Sequence, residues 1–367
     1  MSGGGLGCGH DDTACGMMRP ASLPAPTVPS LSAADEAALT DLFIRGTPAN
    51  TLRAYERDLI YLAAWKQEAF GQPLAWPESE TVALRFVTDH ARDLGLAAGD
   101  DPGRRVAEAL VAAGLRRSLD CPAPATLDRR IASWQTFHRM RNLVSPFEAP
   151  LVRQARAKAR RAAARPRRPK SARPITRPLL DQLLATCDST MRGLRDRAIL
   201  SLGFASGGRR RSEITALRIE DIGTDDFAGQ GILWLRLLET KTTAKGTAPR
   251  LVLKGRAARA VMGWMLALGA EEGPLFRPIS KAGRPLARGL APDAIRTILV
   301  HRLALAGLPP DHASPHGLRS GFLTQAALDG APIQAAMRLS LHRSVAQAQR
   351  YYDDVEITGN PATDLLG

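Results

Sequence analysis

The sequence predicts a mainly α-helical protein of two domains, the second carrying one small antiparallel β-sheet. Three observations support this. Apolar residues recur at intervals of three and four over most of the chain, which marks helices with one buried face. Two short apolar runs between residues 231 and 255 read instead as strands. A proline-broken basic stretch divides the 367 residues, enough for about two domains of common size, into two regions each able to bury its own core.

Residues 1–30 are rich in Gly, Pro and Ser, and disorder is expected there. Cys8, His10 and Cys15 lie in this segment without a fourth ligand, so no metal and no cofactor is expected. The four cysteines, Cys8, Cys15, Cys121 and Cys187, are scattered, which argues against a disulfide framework. The start of the chain lacks an apolar signal core, and no apolar run approaches the roughly 18 residues of a membrane span. An intracellular, cytoplasmic protein is expected.

Residues 31–164 read as all-helical. In "NTLRAYERDLIYLAAWKQ" Leu52, Tyr55, Leu59, Leu62 and Trp65 form one apolar face, and in "TLDRRIASWQTFHRM" Leu127, Ile131, Trp134 and His138 form another. The opposite faces carry Arg53, Arg57, Arg129 and Arg130, either as a solvated surface or as phosphate contacts. From Arg153 to Arg173, "RQARAKARRAAARPRRPKSAR" holds ten Lys or Arg and no acid, which leaves +4 of the formal charge of +14 for everything else (14 minus 10). So dense a run favours nucleic acid as a partner, with binding that weakens steeply in salt as condensed counterions are released. Its prolines, in "RPRRPKSARP", break the helix and make a linker at residues 165–175.

Beyond residue 176, helical patterns cover about 177–187 and 192–205. "GILWLRLLETK" and "APRLVLKG" supply the two strands, and helices follow at roughly 256–268, 292–306, 316–329, 332–340 and 345–353. The last starts behind Ser344, which forms a capping-box pair with Gln347. Val345, Ala348 and Tyr352 fall on one apolar stripe of it, whereas Tyr351, about 100° further round, is free to point elsewhere. The chain has only four tyrosines, so two side by side call for an explanation.

Four places in this second region hold unusual polar groups. "GGRRRSEI" puts Arg209, Arg210, Arg211 and Glu213 after an apolar helix, which alone reads as a surface turn. "ETKTTAKGTAPR" puts Lys241 and Lys245 at a hairpin turn, where lysines commonly keep a sheet edge soluble. In "SPHGLRSGF" Pro315 suits a first helical turn, and His316 and Arg319 share a face, a general base beside an anion clamp. His342 and Tyr351 complete the set. Singly, each is more often structural than catalytic.

Their order is more telling. Arginine, lysine, His-x-x-Arg, then histidine and nine residues later tyrosine, resembles the tyrosine recombinase (phage integrase) family, with a Cre-like and Xer-like flavour. "RDRAILSLGFASGGRRRSEITALRIEDI" looks like that family's first arginine box, "SPHGLRSGFLTQAA" like its His-x-x-Arg box and "LSLHRSVAQAQRYYDD" like its nucleophile box. The resemblance implies a catalytic domain over 176–367 and a helical, SAM-like core-binding domain over 31–164 that clamps DNA. It implies a site-specific recombinase that cleaves and rejoins double-stranded DNA through a 3′-phosphotyrosyl intermediate, for integration, excision or resolution of DNA elements. The expected assembly is a homotetramer on two DNA sites, nucleoid-associated, with accessory DNA-bending proteins as possible partners.

Carried over by motif, the resemblance assigns catalysis to Arg210, Lys241, His316, Arg319, His342 and Tyr351. Lys245, five residues before Arg250, is the runner-up for the lysine, and the arginine triplet leaves the first position open by one residue. The chain departs from the family pattern twice. Leu341 stands where a Gly usually precedes the second histidine, and Arg209 where an apolar residue usually precedes the first arginine. In the family, tails such as "YDDVEITGNPATDLLG", with its apolar Leu365 and Leu366, often pack into a neighbouring protomer; self-packing is the alternative. Two competing readings are a type IB topoisomerase, which relaxes DNA without exchanging partners, and a catalytically inactive DNA-binding accessory protein. The nucleophile box argues against the first, and six filled polar positions against the second.

Overall fold

A computed structural model describes residues 32–163, 171, 173–237, 249–342 and 344–359, with residue 354 and residues 356–359 as backbone only. The segment expected to be disordered, most of the expected linker, Lys241, Lys245 and the apolar end of the tail lie outside the described residues. The chain falls into two compact units, Met1–Pro166 and Arg167–Gly367.

The first unit is built from α1 (Ala33–Gly46), α2 (Ala49–Phe70), α3 (Glu80–Ala91), α4 (Pro102–Ala112), α5 (Pro124–Met140) and α6 (Pro150–Ala162). Helix starts follow from local chemistry. Ser79 accepts a hydrogen bond from the Val82 N–H, Asp101 accepts from Gly103 and Arg104, and prolines occupy the first positions of α4, α5 and α6, where no N–H is needed. The faces read from the sequence meet here: Leu59, Leu62 and Trp65 from α2 and Leu127, Ile131 and Trp134 from α5 are buried, with Phe86 between them. Phe86 stands edge-on to Trp65 and Trp134, with centroids 4.8 and 5.3 Å away.

His138 is a core histidine with both ring nitrogens used: Nδ1–H donates to the Trp134 carbonyl at 2.9 Å, and Nε2 accepts from the Glu78 N–H at 3.4 Å. The arginines opposite these faces divide. Arg53 and Arg57 are exposed, Arg129 pairs with buried Asp58, and Arg130 lies 3.2 Å over the Tyr61 ring. In the basic run, Arg156 and Arg160 both pair with Asp128, at 2.9 and 2.8 Å, which leaves Arg153, Lys158 and Arg161 exposed with no ion pair among the described residues.

The second unit is mixed. Helices α7 (Arg177–Ala185), α8 (Met191–Ala205) and α9 (Arg211–Ala216) lead to β1 (Ile222–Gly223), a short α10 (Phe227–Gln230), β2 (Ile232–Arg236) and β3 (Arg250–Lys254). The strands form an antiparallel sheet in the order β1-β2-β3, with Trp234 opposite Val252. Leu233, Leu235, Leu251 and Leu253 alternate onto the buried face, as a half-covered sheet requires. Then come α11 (Gly255–Leu268), α12 (Ala294–Leu305), α13 (His316–Leu328), α14 (Ile333–Ser340) and α15 (Val345–Gly359). No described helix is long and apolar enough to cross a membrane.

Helix α8 is buried nearly all round: Ala198, Ile199 and Leu202 join the core under the sheet, and Leu200 joins a second core with α7 and α12. Its one buried carboxylate, Asp196, accepts from Arg195 at 2.9 and 2.8 Å and from Arg302 of α12 at 2.9 and 2.7 Å. This pins α12 to α8. One expectation needs correction: Ala348 and Tyr352 are buried, but Val345 is 56% exposed and takes no part in the stripe. It sits at the first residue of α15, and periodicity determines which residues share a face without saying how far a neighbour covers it.

Candidate active site

The site is assembled by a turn, two helices and the connection between two more. After α8, Gly207 and Gly208 take φ of 97° and 72°, a region closed to most side chains. The space is closed too. A Cβ on Gly207 would lie 2.3 Å from the carbonyl carbon of Leu339, and one on Gly208 2.3 Å from Cα of Arg319. Two glycines thus let this turn press its backbone against α13 and α14.

The turn delivers three arginines into three environments. Arg209 is 1% exposed, and its Nη2 donates to the Leu339 carbonyl at 2.6 Å. Arg210, at the head of α9, pairs with Glu213 while lining a cavity. Arg211 pairs with Asp293 at 2.7 Å. Glu213 also accepts from the Arg210 backbone N–H at 3.2 Å, so one carboxylate holds both ends of that residue.

Helix α13 opens behind Pro315 and presents His316 and Arg319 from its first turn. Arg319 is buried, donates from Nη1 to the Gly208 carbonyl at 3.1 Å and lies against the His342 ring, with nitrogen–nitrogen distances of 3.3 and 3.2 Å. His342 follows Leu341, which ends α14 in the left-handed region at φ 54°. Ser340, fully buried, places its Oγ 2.8 Å from Nδ1 of His342. From α15 the Tyr351 hydroxyl stands 3.3 Å from Nε2 of His316. Tyr352 turns the other way: it is buried against Leu323 and Ala336, and its hydroxyl donates to the Ala331 carbonyl at 3.0 Å.

Five of the six residues singled out from the sequence, Arg210, His316, Arg319, His342 and Tyr351, therefore come together, and the sixth, Lys241, lies outside the described residues. Arg210, His316 and Arg319 border a cavity of about 340 Å³, lined also by Arg209, Arg211 and Arg296, with no carboxylate among the described residues of its wall. A larger cavity of about 450 Å³, with the Asp181–Arg256 ion pair at its edge, holds none of these residues. Sequence reading missed the buried position of Arg209 and the contact from Ser340. The Gly-Gly pair was the available signal for the first; nothing marked the second.

Burial, with the Arg210 and Arg209 charges behind it, pushes Arg319 down to about 10, so it stays cationic at neutral pH. Burial first, then the charges of Arg319, Arg210 and Arg209, pushes His342 down to about 4, and its ring is neutral near pH 7. Several guanidinium groups that face one another without enough carboxylates repel, and an anion between them would relieve that repulsion. Its best match is a group with several acceptor oxygens, since a guanidinium can give two parallel hydrogen bonds to phosphate.

The comparisons agree. The sequence profile described as the phage integrase family matches residues 175–356. The chain is 28% identical over 324 residues to an integrase/recombinase xerD homolog of Selenomonas ruminantium, covering 86% of this chain and 85% of that one. It is 30% identical over 321 residues to the tyrosine recombinase XerC of Rhodospirillum centenum, covering 84% of this chain and 79% of the relative. In fold it matches the Tn1549 transposon integrase, solved in complex with transposon right end DNA, with a TM-score of 0.54 at 13% identity over 85% of this chain and 92% of that one. With its arginine, His-x-x-Arg and tyrosine boxes folded around one cationic cavity, the chain belongs to the phage integrase family of tyrosine recombinases.

Proposed function

We propose that this site-specific DNA recombinase breaks and rejoins DNA with Tyr351 as its nucleophile. The observation that carries the reading is the Tyr351 hydroxyl 3.3 Å from Nε2 of His316, beside a cavity walled by Arg210 and Arg319. A phosphodiester repels nucleophiles and gathers charge on its non-bridging oxygens as it is attacked, so the two guanidinium groups act where that charge develops. A phenol is a weak nucleophile until its proton has somewhere to go, and His316 is the base within reach.

In the proposed step the Tyr351 oxygen attacks phosphorus, its proton passes to Nε2 of His316, and the bond from phosphorus to the 5′ oxygen breaks. The departing oxygen takes a proton from Lys241, or from Lys245. The products are a 3′-phosphotyrosyl enzyme and a free 5′ hydroxyl. Because the ester is kept, a 5′ hydroxyl from a second duplex reverses the step on a new partner, which is strand exchange without ATP. His342, whose Nε2 here accepts from Nε–H of Arg319 at 3.3 Å, exchanges that contact on binding DNA and donates Nε2–H to a non-bridging oxygen; Nδ1 must then accept, and the Ser340 hydroxyl 2.8 Å from it is placed to donate. The helical unit over 31–164 clamps the duplex, the basic run follows its backbone, and a homotetramer on two DNA sites, aided by accessory DNA-bending proteins, brings the partners together.

The test is a nicked suicide substrate. Tyr351→Phe is expected to abolish the covalent protein–DNA adduct, and Tyr352→Phe to retain it at no more than about threefold lower rate. The reverse pattern would overturn the assignment. Relaxation of any supercoiled plasmid by a monomer would favour the topoisomerase reading instead.

A further inference from the structure

We propose that Arg209 is a positioning residue for His342, anchoring the end of α14 so that the left-handed turn at Leu341 can be held without a glycine. The proposal rests on the reading of His342 as a phosphate-binding group. It starts from two anomalies that meet at one place. Asn142 and Leu341 are the non-glycine residues with positive φ among the described residues, and Leu341 is the one next to a candidate catalytic side chain. A residue with a Cβ is disfavoured in that region, because the Cβ crowds the following carbonyl oxygen. Left to itself, the chain would open this turn and carry His342 with it.

The second anomaly is Arg209. Its side chain is wholly buried, and burial pushes it down to about 10. Its Nε and Nη1 make no hydrogen bond, and the nearest carboxylate oxygen, Oε2 of Glu213, is 3.7 Å from Nη1. A buried guanidinium so poorly satisfied is an unfavourable element unless its remaining contact matters. Nη2 donates weakly to the Gly207 carbonyl of its own turn, at 3.4 Å, and strongly to the Leu339 carbonyl, at 2.6 Å, in the last turn of α14 and two residues before Leu341; the second is the contact that reaches another element. Helix ends leave carbonyls without partners and carry partial negative charge, so a cationic donor there closes the last turn. The arrangement is rigid on the other side as well, because Gly207 of the same turn lies against the backbone of Leu339 and Ser340.

Arg209 thus ties the arginine turn to the segment Leu339-Ser340-Leu341-His342. Arg209 borders the cavity, but its side chain is buried and its Nη2 is held by the Leu339 carbonyl, which makes it a positioning residue and not a catalytic one. The two departures from the family pattern, Arg209 and Leu341, compensate each other: one strains the turn and the other clamps it.

A double-mutant cycle on the full chain tests this. The readouts are the rate of adduct formation on the nicked substrate, DNA affinity at fixed salt and the melting temperature. Arg209→Met keeps the apolar stem and removes the donor. It is expected to slow cleavage at least about tenfold while affinity stays within about threefold, and Arg209→Lys, which restores a cationic donor, to recover most of the rate. In a Leu341→Gly background the same Arg209→Met change is expected to cost about threefold or less. Leu341→Asn, which tolerates the left-handed region and retains a side chain, replaces Leu341→Gly if the glycine variant does not fold. Should Arg209→Met slow cleavage by the same factor in both backgrounds, or not at all, the proposal is overturned. A cycle that shows coupling while Tyr351→Phe still forms adduct would instead reject the reading of the nucleophile and leave the clamp standing.

Discussion

Replacing Gly208 with alanine probes how closely the arginine turn must approach α13. An ideal Cβ there would sit 2.3 Å from Cα, 3.0 Å from Cβ and 3.1 Å from N of Arg319, whereas carbon atoms in contact keep about 3.5–4.0 Å. The shortfall against the nearest atom exceeds 1 Å, and both sides are backbone, so no side chain can swing away. Overpacking of this kind costs about 1–3 kcal/mol, and a Cβ at φ 72° adds about 1 kcal/mol, which gives roughly 2–4 kcal/mol of lost stability. For a unit of this size, that lowers the melting temperature by about 5–15 °C. The effect on rate should be larger than stability alone would suggest. The residue pushed is Arg319, and a displacement of about 1 Å in a reacting constellation can cost about 100-fold. The assay pairs urea unfolding with the rate of adduct formation on the nicked substrate, measured where the variant is still folded. A Gly208→Ala protein that melts within about 2 °C of the parent and cleaves within threefold of it would show that the turn and α13 do not make this approach.

Other consequences can be measured separately. His90 is fully buried, with Nδ1–H donating to the Phe86 carbonyl at 2.7 Å and Nε2 accepting from the Tyr61 hydroxyl at 2.6 Å; burial pushes it down to about 3. Its unfolded value is near 6.5, so the unfolded chain binds the extra proton between these limits; the first unit should keep full stability above about pH 6.5 and lose on the order of 4 kcal/mol as pH falls toward 3. His138, also pushed down by burial, adds in the same direction, and urea midpoints that stay flat from pH 7 to pH 4.5 would contradict this. Asp196→Asn leaves buried Arg195 and Arg302 facing a neutral amide and should cost the second unit about 3 kcal/mol or more, a loss under about 1 kcal/mol counting against the network. Replacing Arg153, Lys158 and Arg161 together with alanine should flatten the dependence of log binding constant on log salt by about 2–3, since each phosphate contact contributes roughly 0.9; an unchanged slope would remove the basic run from the DNA interface.

Much of the fold was legible because it rests on periodicity. Trp65, Ile131, Trp134 and His138 lie where a 3.6-residue repeat puts them, and the leucines of β2 and β3 alternate as a half-covered sheet demands. The two-residue strand β1 was not legible, since a segment that short has no period. Nor was the burial of Arg209, and the reason is instructive. Local reading treats a run of three arginines after a helix as solvated, because each charge is cheapest in water. What overrides this is tertiary: two adjacent glycines allow the turn to lie against two helices, and whatever side chain follows is carried inward with it. The gathering of the site has the same origin. His316 and Arg319 share a helical face by spacing alone, but nothing in spacing brings Arg210, His342 and Tyr351 to them. For Arg210 and His342 that depends on backbone contacts between the turn at 207–208 and residues 319 and 339–340, contacts that only residues without a Cβ permit, whereas Tyr351 is brought by α15 packing Tyr352 against Leu323 of α13 and Ala336 of α14. The order of the charged residues and the tyrosine thus marked which side chains form the site, while the glycine pair in front of the arginines was the local signal for how closely their turn approaches α13 and α14.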